Sequence, residues 1–303
     1  MLSLKEAHTA ARKLLKDAQI PDYKYESVCL VTHFFNITHD KLIADGEIIE
    51  ADENVYKEMI SVIPRREIGE PLQYILGKWT FMGLDILVGP GVLIPRDDTE
   101  VVVNCCLEYL KQLPAPKVLD LCAGSGAVTL ALKKQVPNAK ITAIEKWEPA
   151  FEYLIKNVKL HTLLNHPDIT LVCDDIFKCA PKFSNGAFDL IISNPPYIKT
   201  EEIKSLQKEV LFEPAYALNG GPDGYDFYKV IIEKWTEKLR AGGMLCLELG
   251  ENQFETVHNL MQKSGYGKIQ PHLDIAGTKR AVSGVKFESY KKSGDAGAKT
   301  HVF

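Results

Sequence analysis

The sequence predicts an α/β protein: a doubly wound, mostly parallel sheet, preceded by a small N-terminal helical domain and joined to it by a linking β-hairpin. Three features of the pattern carry this. Up to about residue 65, apolar residues recur at helical spacing without strand-like alternation. Between Gly69 and Pro95 the period shortens to two, with glycine and proline as punctuation. After Pro95 helical and strand patterns alternate, as they do in β-α-β units.

Ser3-Leu4-Lys5-Glu6 has the form of a capping box, and Leu4, Ala7, Ala11, Leu14, Leu15 and Ala18 predict a helix over about 3–18, ended by Pro21-Asp22. A second stripe runs through Tyr25, Val28, Cys29 and His33. A third helix begins near Asp52, carries Tyr56, Met59, Ile60 and Ile63, and stops at Pro64. These make a bundle over 1–68 with no catalytic constellation, and His33 and His39 are read as core or cap residues. In the linker, 69–95, Tyr74-Ile75-Leu76 and Leu84 to Val88 flank Met82-Gly83, and Val92-Leu93-Ile94 follows Gly89-Pro90-Gly91. All three runs read as strands, in a hairpin able to hold one domain over the mouth of the other. The main domain, 96–290, opens with a helix from about Thr99 to Leu113. Strands are expected at 117–121, 140–145, 168–173, 187–193, 243–249 and 280–288, with helices near 127–136, 148–161, 224–240 and 251–263. Residues 291–303 hold too little apolar surface to pack and are expected to be disordered.

Composition sets the outer bounds. With 303 residues, 46% hydrophobic and 25% charged, the chain can bury a large core and has the make-up of a soluble globular protein. A net charge of −4 argues against affinity gained by coating a phosphate backbone. Seven cysteines without a C-x-x-C pair indicate neither a disulfide framework nor a zinc site, so no metal is expected and a reducing cytoplasm is. Charges through Met1 to Leu15 rule out a signal peptide, and no uncharged run approaches membrane-spanning length. No exposed apolar helix stands out beyond those assigned to the core, so a monomer is expected.

The chemistry gathers at the ends of predicted strands. Val118 to Ala127 is a strand, a glycine-bearing turn over Cys122, Ala123, Gly124, Ser125 and Gly126, and a helix, in which the glycines let the backbone approach a ligand. Thr129 stands where a dinucleotide fingerprint needs Gly or Ala, and Asp120 would repel a diphosphate but suit an ammonium group. Glu145 ends the next strand, where a carboxylate can accept from two ribose hydroxyls. Asp175 after the third strand could accept from an exocyclic adenine amine, with Ile176 covering the ring. Singly, each would more often be a solvated carboxylate, a cap or a turn. Their order across three successive strand ends describes S-adenosylmethionine.

At the fourth strand end stands Asn194-Pro195-Pro196-Tyr197. Two prolines stop the strand, fix φ and remove two donors, so that the Asn194 side-chain oxygen and the Pro195 carbonyl form a rigid pair of acceptors. Tyr197 is expected to lie beside them as a flat apolar wall. Such a site suits a planar –NH2 group.

With these motifs, the chain resembles the protein-(glutamine-N5) methyltransferases that modify peptide chain release factors, the PrmC/HemK type. Gly69-Glu70-Pro71-Leu72-Gln73-Tyr74, Leu93 to Glu100, the Asp120 to Gly126 loop and Asn194-Pro195-Pro196-Tyr197 carry the resemblance. Glu213-Pro214, Gly220-Gly221-Pro222-Asp223-Gly224, Leu247-Glu248-Leu249-Gly250 and Asp274-Ile275-Ala276-Gly277 with Arg280 complete it, over about residues 1–285. Asp97 departs from a proline-type position of the family, and Cys122 stands where the family usually has Gly or another small residue. The resemblance implies a class I S-adenosylmethionine-dependent methyltransferase fold and, as substrate, the glutamine of the Gly-Gly-Gln loop of class I release factors, gripped by the N-terminal helices and hairpin.

On this reading Asn194, Pro195 and Tyr197 are catalytic, and Pro196 joins them in holding substrate. Asp120, Cys122, Ala123, Gly124, Ser125, Gly126, Glu145, Asp175, Ile176 and Asn194 hold cofactor. An amide nitrogen is a poor nucleophile, so the expected work of Asn194 and Pro195 is to orient it and favour the positive charge that grows there, without a general base. The runner-up is an adenine-N6 nucleic acid methyltransferase, whose target amine presents the same two hydrogens. Against it stand the acidic charge balance, the missing target-recognition domain and the lack of an aromatic-basic stripe. A noncatalytic S-adenosylmethionine-binding protein is a third reading, which the intact Asn194, Pro195 and Tyr197 disfavour.

Overall fold

A computed structural model of the protein describes residues 2–161 and 168–287. The expected disordered tail, 291–303, lies outside the described residues. The chain divides into two compact units, one made of the described residues of Met1–Trp79, Val88–Pro90 and Ser205–Glu213, the other of Thr80–Leu87, Gly91–Lys204 and Pro214–Phe303.

The first unit begins with α1 (Leu4–Asp17), closed at its start by the expected capping box: the Ser3 hydroxyl accepts from the Glu6 amide, and the Glu6 carboxylate accepts from the Ser3 amide. Helices α2 (Tyr23–Phe34), α3 (His39–Asp45), α4 (Glu53–Ser61), α5 (Ile63–Glu67) and α6 (Leu72–Leu76) follow. Leu4, Ala7, Ala11, Leu15, Leu30, Val31 and Met59 form the centre of their core. Pro64 opens α5 rather than merely ending α4, because a proline in the first turn gives up a donor that no helix uses there. Tyr74-Ile75-Leu76, expected as a strand, is helical: Pro71 starts the turn and Gly77, at φ +71°, stops it. A three-residue apolar run cannot itself distinguish the two states.

The paired strands of the hairpin are β1 (Lys78–Phe81) and β2 (Leu84–Leu87), turning through Met82 and Gly83, both at positive φ. Val92-Leu93-Ile94 is in neither sheet. Its alternation arises because Val92 and Ile94 are buried while Leu93 turns to a cavity.

The second unit is built on β3 (Lys117–Leu121), β4 (Lys140–Glu145), β5 (Ile169–Cys173), β6 (Phe188–Ser193), β7 (Leu239–Glu248), β8 (Tyr266–Leu273) and β9 (Lys279–Lys286). Their order is β5-β4-β3-β6-β7-β9-β8, parallel from β5 to β7 and antiparallel for β9 and β8. Helices α7 (Thr99–Lys111), α8 (Ala127–Gln135) and α9 (Glu148–His161) link the first strands. Short helix α10 (Lys208–Leu211), which belongs to the first unit, then α11 (Ala215–Leu218), α12 (Asp226–Val230) and α13 (Phe254–Lys263) complete the helices, and α12 runs on as π-helical and 3-10 turns to Lys238. Leu119, Leu121, Ile191, Leu245 and Leu247 enter the core together with Tyr228 and Trp235. Buried parallel strands therefore read as near-continuous apolar runs. The antiparallel β8 had no such run: it is an edge strand broken by Pro271 and by a register shift beside Lys268, which has positive φ. Because β4 and β5 lie on one side of β3 and β6 on the other, the order reverses between β3 and β6, the place where α/β sheets bind ligands. Among the described residues no helix is long and apolar enough to cross a membrane.

Arg66 is the polar pin of the first unit. It is 2% exposed, donates to both Glu26 oxygens at 2.8 and 2.7 Å, and reaches Glu209 of α10 at 2.8 Å. Arg66→Ala strands the Glu26 carboxylate without its cation and is expected to cost about 3–5 kcal/mol in urea denaturation. A loss under about 1 kcal/mol, the range of an exposed pair, would show that solvent already satisfies Glu26.

Candidate active site

The turn after β3 is shaped by three left-handed residues, Cys122 (φ +62°), Gly124 (φ +54°) and Gly126 (φ +83°). A side chain at Gly126 would meet Leu154 of α9, its Cβ only 2.5 Å from Cδ1, so this glycine serves close packing. A Cβ at Gly124 would meet nothing within 4 Å. Cys122 holds the same hand of backbone without being glycine, at a cost of about 1–2 kcal/mol. That is the physical reason glycine suits this position. Asn157 of α9 fixes the turn from outside by donating to the Ser125 carbonyl at 2.9 Å.

The carboxyl ends of β3, β4, β5 and β6 surround a cavity of about 300 Å³. Of the residues singled out in the sequence, Asp120, Cys122, Ala123, Gly124, Ser125, Glu145, Asp175, Ile176, Asn194 and Pro196 line it. Gly126, Pro195 and Tyr197 do not. The sequence reading missed Leu93, Thr99, Trp147, Tyr216 and Phe227, which also line it. Trp147 and Tyr216 stack, with ring centroids 4.4 Å apart at 21°, and the Tyr216 hydroxyl donates to the Gly91 carbonyl at 2.6 Å. A tryptophan two residues beyond the ribose-type carboxylate, and a tyrosine two beyond Glu213-Pro214, were the available signals.

Two carboxyl groups of the cavity are almost wholly buried. Asp120 accepts from the Thr129 hydroxyl at 2.6 Å, so the residue that breaks the dinucleotide fingerprint holds a carboxyl instead. Burial, with the charge of Glu145 adding to it, pushes the Asp120 carboxyl up to about 7 against the pull of Thr129. Glu145 accepts from the Gly124 amide at 2.9 Å and from the Trp147 amide at 2.8 Å, which ties the end of β4 to the turn after β3. Burial raises its pKa while these backbone donors lower it. Asp175 accepts from the Phe177 amide at 2.9 Å and pairs with Lys146 at 3.2 Å. Anionic groups and flat apolar walls fit a ligand that brings positive charge, hydroxyl donors and a ring. They do not fit a diphosphate.

At the end of β6, the Ser193 hydroxyl donates to the Leu121 carbonyl at 2.6 Å and joins this strand end to β3. The Asn194 side-chain nitrogen donates to the Thr99 hydroxyl at 3.0 Å, leaving its oxygen free to accept. Tyr197 was expected as a wall of the site. Instead its ring packs on the core, its hydroxyl donates to Glu248 at 3.4 Å, and its carbonyl accepts from Gln253 at 3.0 Å. It braces the motif rather than lining the cavity. Gly220 explains its own place in the sequence: a Cβ there would sit 2.6 Å from the Tyr197 Cα, so the glycine lets two backbones touch.

Comparison with known proteins shows the family and the fold class. Residues 96–266 match the Methyltransferase small domain and residues 6–77 the PrmC N-terminal domain. The chain is 38% identical over 257 residues to a release factor glutamine methyltransferase of Thermodesulfovibrio yellowstonii, covering 84% of this chain and 89% of that one. It is 42% identical to the protein of that name from Geobacter sulfurreducens, over 74% and 76% of the two chains. With the one from Clostridium acetobutylicum it shares 32% identity over 94% and 99%. Among solved structures, the hMettl16 catalytic domain in complex with MAT2A 3'UTR hairpin 1 aligns with a TM-score of 0.56 at 16% identity, over 80% of this chain and 83% of that one, a likeness of fold. The chain belongs to the release factor glutamine methyltransferase family.

Proposed function

We infer that this protein transfers a methyl group from S-adenosylmethionine to the side-chain amide nitrogen of the glutamine in the Gly-Gly-Gln loop of class I peptide chain release factors. Membership of the family supports the reaction. The single observation that carries the reading onto this site is the Asn194 amide, anchored through its nitrogen to Thr99 so that its oxygen is presented to the substrate.

When bound, S-adenosylmethionine supplies a methyl group on a positively charged sulfur. The Asp120 carboxylate would hold its ammonium, Glu145 its ribose hydroxyls and Asp175 its adenine amine, with Ile176 against the ring and residues 122–125 along the backbone of the turn. The Asn194 side-chain oxygen and the carbonyl of Pro195, which stands between two cavity-lining residues, accept from the two amide hydrogens of the substrate glutamine. This aligns the nitrogen and favours the positive charge that develops on it. No base is needed, because the methylated nitrogen is acidic enough to lose its proton to these acceptors or to water. Tyr197 keeps the motif rigid through Glu248 and Gln253.

The same reading extends to partners. The substrate is a protein rather than a nucleic acid, in keeping with a net charge of −4. The helical unit docks the release factor, since it carries no chemistry of its own. The enzyme works as a monomer in the cytoplasm.

Asn194→Ala is expected to leave S-adenosylmethionine affinity within a few-fold of wild type while removing most labelled-methyl transfer to a release factor. Equal loss of both would make Asn194 structural, and label entering nucleic acid instead would favour the adenine-N6 reading. Glu145→Ala is expected to weaken S-adenosylmethionine binding by about 1.5–3 kcal/mol in calorimetry, the worth of hydrogen bonds to a charged acceptor. Unchanged affinity would remove Glu145 from the site.

A further inference from the structure

Thr99 and Glu248 are almost wholly buried beside the acceptor motif, one at the start of α7 and the other at the end of β7. Thr99 accepts from the Asn194 nitrogen. Glu248 takes the Tyr197 hydroxyl on one oxygen, while its other oxygen is buried without a hydrogen-bond partner among the described residues. Among the described residues no ion pair to it is seen: Arg280, the nearby guanidinium, is bound to Asp98 at 3.1 Å and Asp274 at 3.0 Å. The Thr99 hydroxyl, the neighbouring side chain that most lowers the pKa of this carboxyl, is the donor at hand for it, although no hydrogen bond joins the two in the structure.

We propose that Thr99 and Glu248 are positioning residues that determine which end of the Asn194 amide faces the substrate. This rests on the reading of Asn194 given above. The direction of each hydrogen bond decides the orientation. A carboxylate can only accept, and a hydroxyl has one hydrogen. If Thr99 gives that hydrogen to Glu248, its oxygen can only accept from Asn194. The Asn194 nitrogen is then committed to Thr99, and the oxygen is presented to the substrate. An Asn194 turned the other way would point two donors at the two hydrogens of a glutamine amide, and the site would repel what it must hold. Without this pair an asparagine amide has no intrinsic reason to prefer one orientation.

The relay needs Glu248 ionised, since a protonated carboxyl would itself donate. The groups facing it are Asp98 and Thr99 from α7, Tyr197 after β6, Tyr228 of α12 and Arg280 of β9. Burial pushes its carboxyl up to about 7, against the Thr99 hydroxyl, with Asp98 raising it further and Tyr197 and Arg280 lowering it. With S-adenosylmethionine saturating, kcat is therefore expected to rise as pH rises through about 7.

The test compares Thr99→Val, Thr99→Ser, Glu248→Gln and Asn194→Ala, using a purified release factor and S-adenosylmethionine. Thr99→Val and Glu248→Gln are each expected to lower kcat about 10- to 100-fold, the scale of a misplaced positioning contact. KM for the release factor and S-adenosylmethionine affinity should stay at wild-type values. Thr99→Ser, which keeps the hydroxyl, is expected to restore most of kcat, and Glu248→Gln to lose the rise through pH 7. The double variant Thr99→Val/Glu248→Gln should be no slower than the worse single one, since both break the same chain. A wild-type kcat in Thr99→Val, or a serine variant as slow as the valine one, overturns the relay. If Asn194→Ala alone loses turnover, the relay falls and the role of Asn194 stands. If Asn194→Ala turns over normally, the reading beneath both falls.

Discussion

Three carboxyl groups, Asp120, Glu145 and Glu248, are buried at the carboxyl ends of one sheet, and much of the second unit follows from satisfying them. A buried carboxylate without donors is costly, so each demands a local solution. Asp120 recruits the Thr129 hydroxyl from the first turns of α8. Glu145 takes backbone amides from both sides, which locks the β3 turn to the start of α9. Glu248 takes the Tyr197 hydroxyl on one oxygen, and its other oxygen has no partner among the described residues. Of the three, Asp120 and Glu145 line the cavity. A cationic ligand with hydroxyls and a flat ring completes what the protein leaves unfinished.

The parallel strands explain why so many such groups meet. Strands β3, β4, β5 and β6 all point the same way, so one end of the sheet collects the loops that follow them. The reversal of order between β3 and β6 opens a crevice there, with the glycine turn on one side and Asn194 on the other. Cofactor and substrate amide can therefore meet without long loops. The prolines after Asn194 end the strand abruptly, and Ser193 ties that end back to β3.

This arrangement was largely legible in the sequence where burial on both faces produces long apolar runs. Strands β3, β4 and β6 lie within a residue of expectation for that reason, and the four strand ends could be put in order before any contact was known. What escaped is set by tertiary context. Strand β8 has one solvated face and an internal proline, so its pattern is weak. Tyr74-Ile75-Leu76 is a single helical turn, too short for a period to appear. Thr99 is invisible as a site residue because its importance lies in a hydrogen bond to a position 95 residues away. Tyr197 was placed on the right segment with the wrong direction, since sequence does not show that Glu248 and Gln253 hold it away from the cavity. The first unit likewise draws in Ser205–Glu213, a segment that linear reading assigns to the second, through Glu209 and Arg66.

The central claim is that the acceptor presented by Asn194 receives a glutamine amide. Its most direct test is mass spectrometry of a class I release factor incubated with this protein and S-adenosylmethionine, reading the peptide that contains Gly-Gly-Gln. One added methyl is expected, located by fragmentation on the glutamine side chain. An unmodified glutamine, with methyl found on another residue or on nucleic acid, would contradict it.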